Sequence, residues 1–169
     1  MTDGVSALVV PVPWSEPVVG RWRARYDPSA AAGMPAHITI LYPFVPARDV
    51  DEALEDEVAV IARTVLPFRL RLGAVGRWPD VIYLIPDPAA PFIRLTEQAQ
   101  ERWPEFPPYG GSVDEIVPHL TVATGEEPPG LVSELERRLP LEGDADELRL
   151  AVQDPSRRWL TRRRFPLGE

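Results

Sequence analysis

The two histidines of this chain occur in matching phrases, His37-Ile38-Thr39-Ile40 and His119-Leu120-Thr121-Val122. Seven of the 169 residues are threonine. If threonine were scattered at random, both histidines would have it two positions later with a probability of roughly 0.002. The repeated spacing therefore indicates a function that both phrases share.

Both phrases lie in stretches that predict β-strands, Ala36–Phe44 and Pro118–Ala123, because they are rich in β-branched and apolar residues. Side chains alternate between the two faces of a strand. The histidine and threonine of each phrase therefore share one face, while the aliphatic residues occupy the other. One face can be buried while the other presents an imidazole beside a hydroxyl.

Two imidazoles facing one cleft can serve as general acid and general base near neutral pH. In an attack on phosphorus, one ring takes a proton from the nucleophile and the other gives a proton to the leaving oxygen. The hydroxyls of Thr39 and Thr121 can donate to the nonbridging oxygens of the transition state. The sequence thus predicts a catalytic set of His37, Thr39, His119 and Thr121.

Other interpretations fit the sequence less well. A single histidine in an apolar strand commonly has a packing role, but the paired phrase argues against that reading. Two histidines are too few for a typical zinc site, and no acidic residue lies beside either phrase on the same face. We therefore expect no metal and no cofactor. No serine lies in the turn of a hydrolase nucleophile.

Composition limits the class of protein. The length and the 44% hydrophobic content suit one globular domain over residues 1–169. Cysteine and lysine are absent, which excludes disulfides, thiol nucleophiles and Schiff-base lysines. The net charge of -8 disfavours binding to long duplex nucleic acid. No signal peptide or membrane-length apolar run is evident, so we expect a cytoplasmic monomer that does not bind membranes.

Hydrophobic periodicity and breaker residues predict the remaining elements. We expect strands at 5–11, 68–72, 81–85, 148–152 and 157–165, and helices at 16–26, 49–66, 88–103 and 131–139. Each half of the chain then reads strand, helix, His-Thr strand, helix, strand. This pattern predicts an α+β fold of two pseudo-symmetric lobes, each an antiparallel sheet with flanking helices, around a central cleft.

The paired motifs resemble those of the two-histidine (2H) phosphoesterase superfamily, and of its bacterial 2′-5′ RNA ligase-like branch in particular. Flanking phrases are similar too: Met34-Pro35-Ala36, Leu41-Tyr42-Pro43-Phe44, Pro107–Gly111 and Arg164–Gly168. The resemblance covers nearly the whole chain. It implies the two-lobed fold and chemistry on 2′,3′-cyclic phosphates, ADP-ribose 1″,2″-cyclic phosphate or 2′-5′ linkages.

Three further residues are predicted to bind substrate. The resemblance implies that Tyr42, five residues after His37, stacks on a base. Tyr109 lies in a glycine-rich loop that offers a second aromatic ring. Arg162 begins a run of three arginines in an acidic protein and is a candidate phosphate contact.

The leading hypothesis is a metal-independent phosphodiesterase acting on a small nucleotide or an RNA terminus. One alternative is a nucleotide- or RNA-end-binding module with little turnover. Another is 2′-5′ RNA end joining by the reverse reaction. Intact histidine and threonine in both motifs favour the enzyme, and the acidic charge favours small substrates.

Overall fold

The computed structural model describes residues 4–112 and 115–169. Along these residues the chain alternates strands and helices, as the periodicity predicts. In chain order the elements are β1 (Ser6–Pro11), α1 (Glu16–Tyr26), α2 (Pro28–Ala31), β2 (His37–Leu41), α3 (Glu52–Ala62), β3 (Phe68–Trp78), β4 (Val81–Asp87), α4 (Ala90–Arg102), β5 (Leu120–Thr124), α5 (Leu131–Arg138), β6 (Leu141–Ala145), β7 (Glu147–Gln153) and β8 (Trp159–Pro166).

The strands form two four-stranded antiparallel sheets, with strand orders β2-β1-β7-β8 and β5-β4-β3-β6. The predicted α+β fold with two pseudo-symmetric lobes is confirmed, because each sheet has the same order when β2, β1, β7 and β8 are matched with β5, β4, β3 and β6. The strand that carries or follows a motif histidine, β2 or β5, is the edge strand of its sheet. Both edges are therefore free to face each other.

The two lobes exchange their last strands. The first half of the chain supplies β1 and β2 to the first sheet, but its final strand, β3, pairs with β4 and β6 in the second sheet. The second half of the chain likewise supplies β7 to the first sheet, where β7 pairs with β1. Neither lobe is thus a contiguous half of the chain.

The helices are exchanged in the same way. Helix α1 follows β1 of the first sheet but packs against β5 and α5 of the second lobe. Helix α4 follows β4 of the second sheet but packs against β2 and α3 of the first lobe. Each motif strand is consequently supported by a helix from the opposite sequence half.

The predicted alternation of both motif strands is present. Ile38 and Ile40 are buried at 0% and 2% exposure, and Leu120 and Val122 are both at 0%. These side chains belong to one hydrophobic core that extends through both lobes. Burial of this face fixes the strand register, since a slip by one residue would turn the histidines into the core.

Several boundaries differ from those predicted. Strand β3 continues to Trp78, beyond the predicted strand 68–72, so only residues 79–80 connect it to β4. Strand β6 was not predicted at all. Helix α3 begins after Asp51, whose carboxylate accepts from the Leu54 amide at 2.8 Å, rather than at Asp49.

The Ser15 hydroxyl does not cap α1, although Ser15 directly precedes the helix. It donates instead to the Val12 carbonyl at 2.7 Å, in the single 3-10 turn that precedes the helix. Among the helices in the described part of the chain, none is both long enough and apolar enough to span a bilayer.

Candidate functional site

The two motif strands meet across a large cavity. Strands β2 and β5 are in contact, and a cavity of 1320 Å³ opens beside them. His37, Thr39, His119 and Thr121 all line it. The structure thus brings the four residues of the predicted catalytic set to one cleft. The volume exceeds that of a typical small-ligand pocket, so a nucleotide can be accommodated.

Both imidazoles are held in the same way. The Nδ1 atoms of His37 and His119 each lie 2.8 Å from a backbone carbonyl two residues earlier, those of Pro35 and Val117. Because a carbonyl oxygen can only accept, Nδ1 must carry the proton in each ring. Nε2 is therefore the nitrogen left to exchange a proton with a bound molecule, and the two rings present equivalent atoms.

The segment that carries the Pro35 carbonyl is fixed by charged side chains from α1. The Arg23 guanidinium donates to the Met34 carbonyl at 3.1 Å, and the Glu16 carboxylate accepts from the Ala36 amide at 2.6 Å. Arg23 is only 2% exposed, so this contact is deep within the protein. The orientation of the first imidazole therefore depends on α1.

The electrostatic surroundings favour neutral imidazoles. Burial lowers the pKa of His37 to about 4; the bond to the Pro35 carbonyl opposes this shift and the charge of Arg23 adds to it. Burial also lowers the pKa of His119, against the bond to its own carbonyl partner. At neutral pH both rings of the free protein are consequently uncharged and able to accept a proton at Nε2.

Aromatic rings surround His119. Trp78 lies edge-on to the imidazole with centroids 4.7 Å apart, and Tyr83 lies 5.6 Å away. Tyr83 crosses Gly76 of the neighbouring strand so closely that a Cβ there would be 2.3 Å from its ring. Only glycine permits this approach. Trp78 was not predicted as a site residue, because it lies outside the predicted strands 68–72 and 81–85.

Tyr109 joins the two motifs across the cleft. Its side chain shares a hydrogen bond with Thr39, and its ring lies 6.3 Å from that of His119. Its amide donates to the Tyr42 carbonyl at 2.6 Å. Burial raises the pKa of the Tyr109 hydroxyl, which keeps it protonated. The residue has a positive φ of 52°, a conformation that non-glycine residues rarely adopt.

Tyr42 also lines the cavity, where it meets Trp159 edge to face at 6.1 Å. Trp159 was assigned to a strand by the sequence analysis but not to the site. It rests on a small apolar cluster on the cavity side of the first sheet, made of Ala7, Val9, Met34 and Ala151. The pair offers an aromatic surface beside the His37 half of the cleft.

Arg162 lies elsewhere. Its Nε donates to Glu55 Oε1 at 2.6 Å, on the face of the first sheet that α3 covers, and it does not line the cavity. The neighbouring Arg163 pairs with the same glutamate at 3.6 Å. The predicted phosphate contact is therefore not among the residues that the structure gathers at the cleft, because the arginine run stabilises the packing of α3 on β8.

No group of three or more histidine, cysteine, aspartate or glutamate side chains is arranged to hold a metal within residues 4–112 and 115–169. The two histidines are the only nitrogen ligands at the cleft, and their Nδ1 atoms are engaged by carbonyls. The donor set of the cleft suits proton transfer and hydrogen bonding better than metal binding.

Comparison with known sequences gives a consistent result. The model of the 2′-5′ RNA ligase superfamily matches residues 10–157. A Bacillus cytotoxicus protein named "Putative phosphoesterase" is 29% identical over 160 residues, covering 87% of each chain. A protein of the same name from Bacillus cereus shows the same identity and coverage.

Solved structures share the fold. Escherichia coli LigT in complex with 3′-AMP superposes with a TM-score of 0.63 at 19% identity, covering 99% of this chain and 100% of that one. LigT in complex with phosphate gives 0.59 at 19% identity, with the same coverage. Thermus thermophilus TT0787 gives 0.58 at 18% identity, covering 97% and 98%.

The two rings should titrate differently in solution. We expect ¹⁵N NMR of the free protein to show His37 titrating with a midpoint near its pKa of about 4 and His119 below 6.5, because burial disfavours the charged ring. Both neutral rings should carry the proton on Nδ1. The single variants His37→Gln and His119→Gln assign the signals. A proton on Nε2 of either neutral ring would contradict the carbonyl contacts.

Proposed function

The chain belongs to the 2′-5′ RNA ligase superfamily as a two-histidine phosphoesterase, and we propose that it opens 2′,3′-cyclic phosphates of small nucleotides or RNA termini without a metal. The observation that carries this proposal is the equivalent placement of two Nδ1-anchored imidazoles on one cavity. The two Nε2 atoms are equivalent, and each histidine has a threonine hydroxyl two residues away. Such a pair suits a reaction at phosphorus in which one ring accepts a proton from the nucleophile and the other donates a proton to the leaving oxygen.

The proposed step is the attack of water on the phosphorus of the cyclic phosphate. Water forms a new bond to phosphorus and gives a proton to Nε2 of one neutral imidazole. The bond from phosphorus to one ribose oxygen breaks, and that oxygen takes a proton from Nε2 of the other ring, which enters the step as imidazolium. The rings finish with exchanged protonation, and exchange with solvent restores them.

The negative charge of the bound phosphate favours the charged imidazole that the proposed step requires. Both imidazoles are neutral in the free protein at neutral pH, yet the step needs one of them charged. A phosphate anion beside the rings favours their charged forms, and so opposes the effect of burial on their pKa values. Substrate binding itself can thus recruit the proton that the leaving oxygen requires.

The threonines would hold the nonbridging oxygens. Thr39 and Thr121 lie on the same strand faces as the histidines and line the same cavity. In the free protein the Thr39 side chain is hydrogen-bonded to Tyr109. A phosphate that takes the Thr39 hydroxyl frees the tyrosine hydroxyl, which can then donate to the substrate. Tyr42 and Tyr109 remain the proposed aromatic contacts, whereas Arg162 is not part of the proposed site.

A panel of substrates tests the reaction. Purified protein with excess EDTA is offered 2′,3′-cyclic nucleotides, ADP-ribose 1″,2″-cyclic phosphate and 2′-5′ dinucleotides, and ³¹P NMR follows the products. We expect the cyclic phosphate signal to be replaced by that of a single phosphomonoester. The reaction should proceed in EDTA, because the described residues contain no group arranged to hold a metal. Activity that vanishes in EDTA and returns with one divalent ion would refute the metal-independent mechanism.

Substitutions test the roles of the four motif residues. His37→Ala and His119→Ala should each lower turnover by about 10² to 10⁴, the usual contribution of one proton-transfer group. The double variant should be little worse, since the rings act as a unit. Thr39→Ala and Thr121→Ala should each cost about 10²-fold through loss of one transition-state donor.

Thr161→Ala is the matched control for the threonine variants, because Thr161 is exposed on β8 and does not line the cavity. It should retain full turnover. Melting temperatures of all variants should stay close to that of the unchanged protein. Histidine variants that remain fully active, or that lose activity only by unfolding, would show that the rings have a packing role.

The pH dependence follows from the direction of the two shifts. The reactive form has one ring neutral and one charged, and both pKa values in the free protein lie below 6.5. The kcat/KM should therefore be bell-shaped with its maximum below pH 6.5, falling toward pH 4 as both rings become charged and above the maximum as both become neutral. Steady-state rates across pH 3.5 to 9 measure this. A maximum above pH 7 would contradict the assignment.

A further inference from the structure

The wall of the cavity carries no positive side chain among the residues that the structure describes. The chain has no lysine, and none of its arginines is among the residues that line the cavity. Arg162 contacts Glu55, and Arg94 of α4 donates to the Thr64 carbonyl at 3.1 Å. Proteins that bind several phosphates normally neutralise them with arginine or lysine. This cleft offers hydroxyls, imidazoles and aromatic rings instead.

The charged side chains that do line the cavity are acidic: Asp27, Glu97 and Glu115. Asp27 is compensated, because its Oδ2 lies 3.3 Å from the buried guanidinium of Arg23. Glu97 and Glu115 are exposed at the cleft and form no ion pair within the described part of the chain. The cavity is therefore lined by two carboxylates that no cation compensates among the described residues.

The two carboxylates lie on segments next to the motif strands, Glu97 on α4, which packs on β2, and Glu115 shortly before β5. Glu97 follows Thr96, whose hydroxyl donates to the Ile40 carbonyl of the first motif strand at 3.0 Å. Glu115 lies four residues before His119. Apolar and aromatic groups occupy the wall near Trp159 and Met34, which suits a nucleoside. Among the described residues that line the cavity, a second phosphate on the substrate thus finds carboxylates, neutral polar groups or apolar surface, but no cation.

On the basis of the proposed function, we propose that Glu97 and Glu115 make the cleft selective for phosphodiesters with a single negative charge, such as nucleoside 2′,3′-cyclic monophosphates. Each added phosphate loses hydration without gaining a charged partner and is repelled by the two carboxylates. Glu97 and Glu115 act here as specificity-determining residues and take no part in the chemical step.

The test uses two substrates that differ only by a 5′-phosphate, adenosine 2′,3′-cyclic phosphate and its 5′-phosphorylated form. We expect kcat/KM to be at least roughly tenfold higher for the nucleotide without the 5′-phosphate. The double variant Glu97→Gln/Glu115→Gln should narrow this ratio by roughly threefold to tenfold at low salt, and by less at high salt because ions screen exposed charges.

Glu101→Gln is the matched control, since Glu101 is an exposed carboxylate on the same helix but does not line the cavity. It should leave the ratio unchanged. An equal or higher kcat/KM for the 5′-phosphorylated substrate would overturn the inference. So would a control variant that narrows the ratio as much as the double variant does.

A binding experiment tests the charge selectivity of the cleft separately from the proposed hydrolysis. If neither cyclic nucleotide is hydrolysed, the affinities of AMP, ADP and ATP are measured by quenching of tryptophan fluorescence, since Trp78 and Trp159 line the cavity. Affinity that falls from AMP to ATP, and falls less in the double variant, supports the charge selection even without turnover. Affinity that rises with the number of phosphates refutes it.

Discussion

The period-two alternation of β2 and β5 is the constraint on which the site depends. In each strand the aliphatic residues are buried in the common core, so the histidine and threonine have only the cavity side available. Shifting either strand by one residue would bury an imidazole and expose two large apolar side chains. The hydrophobic core therefore fixes the geometry of the cleft, because the positions of the four motif side chains follow from the packing of the opposite strand faces.

The exchange of strands and helices between the lobes makes that geometry rigid. Strand β3 leaves the first half to enter the second sheet, and β7 returns to the first. Helix α1 packs on β5 while its Arg23 and Glu16 hold the segment before His37. One helix thus contacts both motifs. Two halves joined only by a linker would allow the rings to separate, whereas this interlocked arrangement ties their spacing to a single continuous core.

The sequence predicted the features that depend on local pattern. Alternation located the motif strands, and the repeated order of elements predicted two equivalent lobes. It did not predict β6, because Leu141–Ala145 contains a glycine and two acidic residues, which are poor strand formers. A tertiary contact explains the glycine in this strand. Trp14 lies so close to Gly143 that a Cβ there would be 2.2 Å from the Trp14 ring.

The site residues that were not predicted from the sequence also depend on tertiary contacts. Trp78 and Trp159 line the cavity only because strands distant in sequence bring them there, and Arg162 turns away only because Glu55 of α3 lies opposite. The role of Arg23 was not predicted either: its buried side chain lies behind the first motif, where Asp27 compensates its charge. A positive charge so placed opposes protonation of His37 without being able to reach a phosphate in the cavity. The cleft thus combines neutral imidazoles with a lining in which the described residues include no cation. Under those conditions the charge of the substrate itself becomes the largest electrostatic change that binding brings to the rings.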